Sequence, residues 1–222
     1  MALIFLNTYL IVLLLGGALF FGTSCTLRLP RNEKSSETEF SKAFPLAVGN
    51  YWIYQTAVIY PNKMKQVGAQ LDSVWIEKDT MVNGKRYFVQ LRATTGPLPT
   101  LLTDSAGFII SQVARFKTVC FSRNSATDTL FSQAPYYRVM ITGSQKTKVP
   151  AGTFNTVNSI QLLQITPQTQ LQAAEFPPYN AKYLIQEQCL YANKVGLVKR
   201  ISYYAGNRIE ESLVKYAVSK SN

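Results

Sequence analysis

Three cysteines, twelve carboxylates and no histidine are what this 222-residue chain offers for chemistry. Without imidazole there is no Ser-His-Asp or Cys-His nucleophile, no imidazole zinc site and no ordinary general base near neutral pH. Neither GxGxxG nor GxxxxGK[ST] occurs, so no phosphate-cradling glycine loop is present. A carboxylate pair of the glycosidase kind is the remaining route to catalysis. Glu210 and Glu211 are neighbours on a strand-like stretch and must point to opposite faces. Asp72 and Glu77 lie an odd number of residues apart and face apart in the same way. Glu33, Glu37 and Glu39 fall in a polar stretch and Asp104 in a turn. These residues predict a protein that is not an enzyme and that carries no metal or cofactor, a carboxylate hydrolase being the less favoured reading. Cys120, in "TVCFS", and Cys189, in "EQCLYA", could pair across adjacent strands or remain two buried thiols. No CxxC supports thioredoxin-like redox chemistry.

The third cysteine has a different setting. Tyr9 to Phe21 is an apolar run of signal-peptide h-region length, and Gly22, Thr23 and Ser24 stand directly before Cys25. This resembles the lipobox of bacterial lipoproteins, where signal peptidase cuts before a cysteine that becomes acylated. The small side chains let the substrate lie extended in a narrow groove. The resemblance implies that residues 1–24 are removed and that Cys25 carries the lipid. Two other readings stand beside it. An uncleaved anchor, followed by Arg28, Arg31 and Lys34, would place the domain in the cytoplasm by the positive-inside rule. A plain secretory signal would leave Cys25 a bystander.

Residues 25–43 follow as the lipidated cysteine and a polar, hydrophobe-poor stretch that reads as a flexible tether. The rest, 44–218, has ample apolar and aromatic content for one core, with 219–222 as a tail. Its patterning is β almost throughout. "RYFVQLRA" alternates Tyr87, Val89, Leu91 and Ala93 against Arg86, Phe88, Gln90 and Arg92. Asn83-Gly84 joins two strands as a tight hairpin, and Ala205–Asn207 joins two more. Pro150 and Gly152 mark a turn between strands that end at Val149 and start near Phe154. Only 166–176, "TPQTQLQAAEF", could be helical, and it could equally be a long loop. Strands joined by short turns predict antiparallel pairing. The expected fold is mainly β: a single curved antiparallel sheet forming an open or half barrel, with a β-sandwich as the alternative.

Three phrases carry a family resemblance. They are Pro45, Leu46, Gly49, Asn50 and Trp52 near the start; Val149 to Phe154 in the middle; and Val195 to Lys199 near the end. In this order, across roughly 44–216, they resemble an uncharacterised family of Bacteroidetes-type exported β-rich lipoproteins. The family shares a Pro-Leu-x-x-Gly-Asn-x-Trp opening, a Val-Pro-Ala-Gly-Thr-Phe turn and a Val-Gly-Leu-Val-Lys hairpin. The resemblance implies a β-rich domain in the cell envelope and assigns no catalytic residue. "TLRLPRNE" after Cys25 lacks the acidic cluster that resembles a surface-export tag, so the periplasmic side of the outer membrane is expected.

The formal charge of +11 is scattered, with Lys85–Arg86 and Lys199–Arg200 as the only basic doublets. That distribution and the exported address argue against nucleic acid. They suit an anionic membrane face, an acidic glycan, or simple solvation of strand faces. Aromatic residues on both faces of several strands suggest a non-catalytic binding module for an apolar or amphiphilic ligand such as a lipid. Trp52, Tyr54, Trp75, Phe88 and Tyr203 are the candidate walls, and Arg86, Arg92 and Arg200 the cationic rim. The alternative is a structural or protein-interaction subunit of the envelope, its partner unknown.

Overall fold

The structure is a computed structural model and describes residues 43–95, 98–124, 128–170 and 175–219. The leader, Cys25 and the tether up to residue 42 lie outside the described residues. The described chain forms one antiparallel sheet of thirteen strands: β1 Tyr51–Ile59, β2 Lys65–Val82, β3 Lys85–Arg92, β4 Thr100–Ser105, β5 Phe108–Val113, β6 Phe116–Ser122, β7 Thr129–Gln133, β8 Tyr136–Val149, β9 Gly152–Gln164, β10 Pro178–Asn180, β11 Tyr183–Ala192, β12 Gly196–Tyr204 and β13 Asn207–Ala217. The spatial order is β6-β5-β4-β3-β2-β1-β13-β12-β11-β9-β8-β7, with short β10 added to β11. The first and last strands therefore pair in the middle of the sheet, and β6 and β7 are its two ends.

Those ends meet. Ile109 and Phe121 of β5–β6 share one buried cluster with Leu130, Met140, Val157 and Cys189 from β7, β8, β9 and β11. The Met140 N–H donates to the Asp128 carbonyl at 2.8 Å, beside the β6–β7 connection. The sheet is thus curled into a barrel with one unsealed seam between β6 and β7, the curved open barrel that the strand pattern predicts rather than a sandwich.

Turn chemistry sets the registers. Asn83 and Gly84 both take positive φ (50° and 72°), as a two-residue hairpin loop requires. Val149 pairs with Gly152, so the Pro150-Ala151 turn is tighter than expected and β9 begins at Gly152 rather than near Phe154. Segment 165–182 opens as a turn at Pro167–Thr169, and Gln170 and Glu175 take 3-10 helical conformation. The Gln170 N–H reaches the Thr166 carbonyl at 2.9 Å, while the Thr169 hydroxyl donates back to the Gln164 carbonyl at 2.7 Å. Residues 171–174 of that stretch lie outside the described residues.

A strap, residues 43–50, crosses one end of the barrel. Ala43 is fully buried, and Phe44 packs on Phe121 and Tyr191 with ring centroids 6.3 and 5.6 Å away. The Phe44 carbonyl accepts a 2.6 Å bond from Arg123, and Asn50 ties the strap to Ser219.

Candidate functional site

Below the strap the barrel is not filled. A cavity of about 260 Å³ is walled by Trp52 and Tyr54 of β1, Val74 of β2, Leu102 of β4, Tyr191 of β11 and Phe44 of the strap. Arg92 of β3 and Arg200 of β12 complete it, with Cys120 of β6 at the seam side. Alternation explains the wall. Tyr54 stands opposite Asp72 and Trp52 opposite Val74, so the even-numbered residues of both strands face inward. Leu98 is the one lining residue that is exposed to solvent, at 62%, and it marks the mouth.

The two arginines belong to an alternating belt of charge around the inner wall. Arg138 Nη2 donates to Glu187 Oε1 at 2.7 Å, and Arg200 Nη1 to Glu211 Oε2 at 3.1 Å. Arg92 bonds both Glu211 and Asp72. Asp72, which is buried, also accepts the Thr94 N–H at 3.2 Å. Three arginines meet three carboxylates, so the belt is balanced. Arg92 and Arg200 face the cavity while Asp72 and Glu211 are buried beside them, where an unpaired charge would be costly. Burial alone would raise the Glu187 carboxyl, but the Arg200 and Arg138 guanidiniums outweigh it and hold Glu187 below the ordinary carboxylate value. Arg200 Nε is buried and lies 3.6 Å from Glu187 Oε2, within ion-pair reach but with no hydrogen bond among the described residues.

The neutral groups are equally fixed. The Trp52 indole N–H donates to the Val195 carbonyl at 2.5 Å and the Tyr54 hydroxyl to the Leu197 carbonyl at 2.9 Å. Burial pushes the Tyr54 phenol well above its usual range despite Arg200 and Arg92 beside it. Cys120 and Cys189 are both free thiols in this structure, so the cross-strand bond that the sequence allows is not made in it. Burial pushes the Cys120 thiol up to about 12, with Arg138 acting in the opposite direction. Burial, with Glu187 adding to it, raises Cys189 as well. Both stay protonated at neutral pH and are poor nucleophiles.

Four of the eight residues expected to bind ligand therefore line the cavity: Trp52, Tyr54, Arg92 and Arg200. The other four do not. Trp75 lies on the opposite face of β2, in an open groove with Val89, Leu91 and Leu101. Phe88 shares the inner side of β3 but packs towards the hairpin end, its ring 4.9 Å from the Arg86 guanidinium. Arg86 itself is bound to Asp79 at 2.6 Å. Tyr203 sits near the end of β12, opposite Arg208. Strand alternation alone cannot tell the middle of a barrel strand from its ends, and that is the difference here.

The expectation that Glu210 and Glu211 face apart agrees with their partners. Glu210 bonds Lys199 at 3.0 Å and approaches Lys65 at 3.9 Å, while Glu211 joins the inner belt. The sequence reading missed the pair that does meet. Asp72 on β2 and Glu211 on β13 flank β1 and share Arg92, 139 positions apart in sequence by subtraction of their numbers. Only the β1–β13 pairing brings them together.

Neither a protein-family model nor a curated protein matches the chain. Solved structures do show likeness in shape. One is a Bacteroides fragilis protein described as exported and as having a YmcC-like fold, with TM-score 0.46, 11% identity, and coverage of 78% of this chain and 98% of that one. Another is a protein from Parabacteroides distasonis described as a lipoprotein, with TM-score 0.45, 10% identity, and coverage of 79% and 98%.

Proposed function

We propose that the protein is a non-catalytic binding module, held in the cell envelope through lipid on Cys25, whose barrel cavity takes a small amphiphile. The observation that carries the reading is the convergence of Trp52, Tyr54, Arg92 and Arg200 on one apolar cavity. Apolar walls bury a chain, and guanidinium groups receive an anionic head.

The dimensions narrow the ligand. At about 30 Å³ per water, the space equals roughly nine waters, and it lies below the ~300–1,000 Å³ of drug-sized sites. It suits a medium-length chain, or the end of a longer one, and not a whole long-chain lipid. The balanced belt narrows the head group. Because the carboxylates already neutralise the arginines, a single carboxylate at Arg200 fits better than a multiply charged phosphate, which would compete for the same guanidiniums. Catalysis has little support from this geometry, since Asp72, Glu187 and Glu211 are all tied to arginine and both thiols are held protonated.

Protein purified from envelopes in mild detergent and sprayed natively should carry an extra mass of a few hundred daltons or less. The mass should disappear on acid denaturation and be absent from Leu102→Trp. Uniformly empty protein, under conditions that preserve folding, would favour the structural or interaction-subunit reading instead.

A further inference from the structure

We propose that the end of the barrel bearing the β1–β2 and β12–β13 turns is a docking surface for an anionic lipid bilayer. The up-and-down connectivity sends the β1–β2, β5–β6, β7–β8, β10–β11 and β12–β13 turns to this one end. Two of them lie side by side: a side chain at position 206 would begin 4.0 Å from Pro61.

Large apolar side chains gather there in the open. Tyr204 is 73% exposed, Phe116 67% and Met64 57%, with Tyr136 and Tyr179 also exposed. The opposite end shows Val48, Met81 and Val82. Exposed apolar side chains concentrated at one end suit an interaction surface. Tyrosines suit the headgroup level of a bilayer, where ring and hydroxyl meet different surroundings.

Charge selects the partner. Lys63 and Lys182 lie among these residues, and the Arg115 guanidinium sits 5.4 Å from the Phe116 ring. Lys65 and Arg208 are also at this end but share the buried Glu210 carboxylate. Among the described residues the one exposed carboxylate at this end is Glu175, whereas Glu77, Asp79 and Asp104 lie towards the other. Exposed tyrosine and methionine set beside Lys63, Lys182 and Arg115, with Glu175 as the one exposed acid among the described residues, match an anionic lipid surface rather than a protein face of mixed charge. The cavity mouth at Leu98 is on the β3–β4 connection, at this same end. The docking surface goes beyond the cavity reading and does not depend on a ligand being there.

The test places a reporter at each end of the full-length chain. Tyr204→Trp and Met81→Trp are each compared with the parent protein on vesicles of brominated phosphatidylglycerol and brominated phosphatidylcholine. The tryptophan at 204 should be quenched at least twofold more than the parent by the anionic vesicles, and the one at 81 should not. Lys63→Glu with Lys182→Glu, or neutral vesicles, should remove most of that quenching. Equal quenching at both ends, none at 204, or quenching at 204 that ignores lipid charge and the two glutamates would each overturn the proposal.

Discussion

Arg92→Met should destabilise the protein by about 3–5 kcal/mol, the range for removing one partner from a buried ion cluster. Among the described residues Arg92 is the link between Asp72 and Glu211 in the belt, and both carboxylates are buried on either side of β1. Methionine keeps most of the side chain's packing, so the loss reads out charge rather than volume. Among the described residues Asp72 would retain the Thr94 N–H, and Glu211 would retain Arg200. Replacing the carboxylates as well, with Asp72→Asn and Glu211→Gln, should recover part of the loss, because uncharged amides cost less to bury than orphaned ions. Urea unfolding at pH 7 checks both statements. A cost below about 1 kcal/mol for Arg92→Met, of the size seen for exposed pairs, would mean that the belt is solvated.

The second large effect is at Trp52, the residue that ties the strap, β1 and the β11–β12 turn into one unit. Its indole N–H is bonded to Val195, and Gly196 lies directly against the ring. A Cβ on Gly196 would sit 3.4 Å from Trp52 Nε1 and 3.5 Å from Pro45, at a φ of +95° that already favours glycine. Trp52→Ala should cost about 3–5 kcal/mol through the cavity it opens. Trp52→Phe keeps most of the ring and leaves the Val195 carbonyl without its donor, for about 1–3 kcal/mol. The two variants should thus separate in midpoint while sharing the wild-type slope with denaturant. Equal losses would assign the whole effect to the hydrogen bond.

Much of the architecture could be read in the sequence because turn residues and alternation are local. Asn83-Gly84, Pro150 to Gly152 and Ala205–Asn207 each join the strands they were expected to join. Strands β4 "TLLTDS", β7 "TLFSQ" and the three-residue β10 "PYN" are not announced by alternation; they are short, and they acquire their identity from neighbours rather than from their own pattern. The site was half legible for a related reason. Tyr54 and Trp52 announce an aromatic inner face, but nothing local states that Asp72, Glu187 and Glu211 will reach the same arginines. Those contacts are made by closure of the sheet, through pairings between strands far apart in sequence. Trp75 shows the converse, a large aromatic next in sequence to Val74 and therefore on the outside.

The claim on which the account turns is that the cavity itself is the binding site. Titration calorimetry with octanoate, an eight-carbon carboxylate of suitable length, tests it directly. Wild-type protein should bind one equivalent. Thr100→Phe and Leu102→Trp, which fill the cavity from its open side and from its wall, should abolish binding while circular dichroism still reports the β-sheet. Arg200→Lys, which keeps the charge but removes Nε, should weaken binding about tenfold, or ~1.4 kcal/mol. Binding that survives both filled variants at wild-type strength, or no heat at all from folded wild-type protein, would contradict the account.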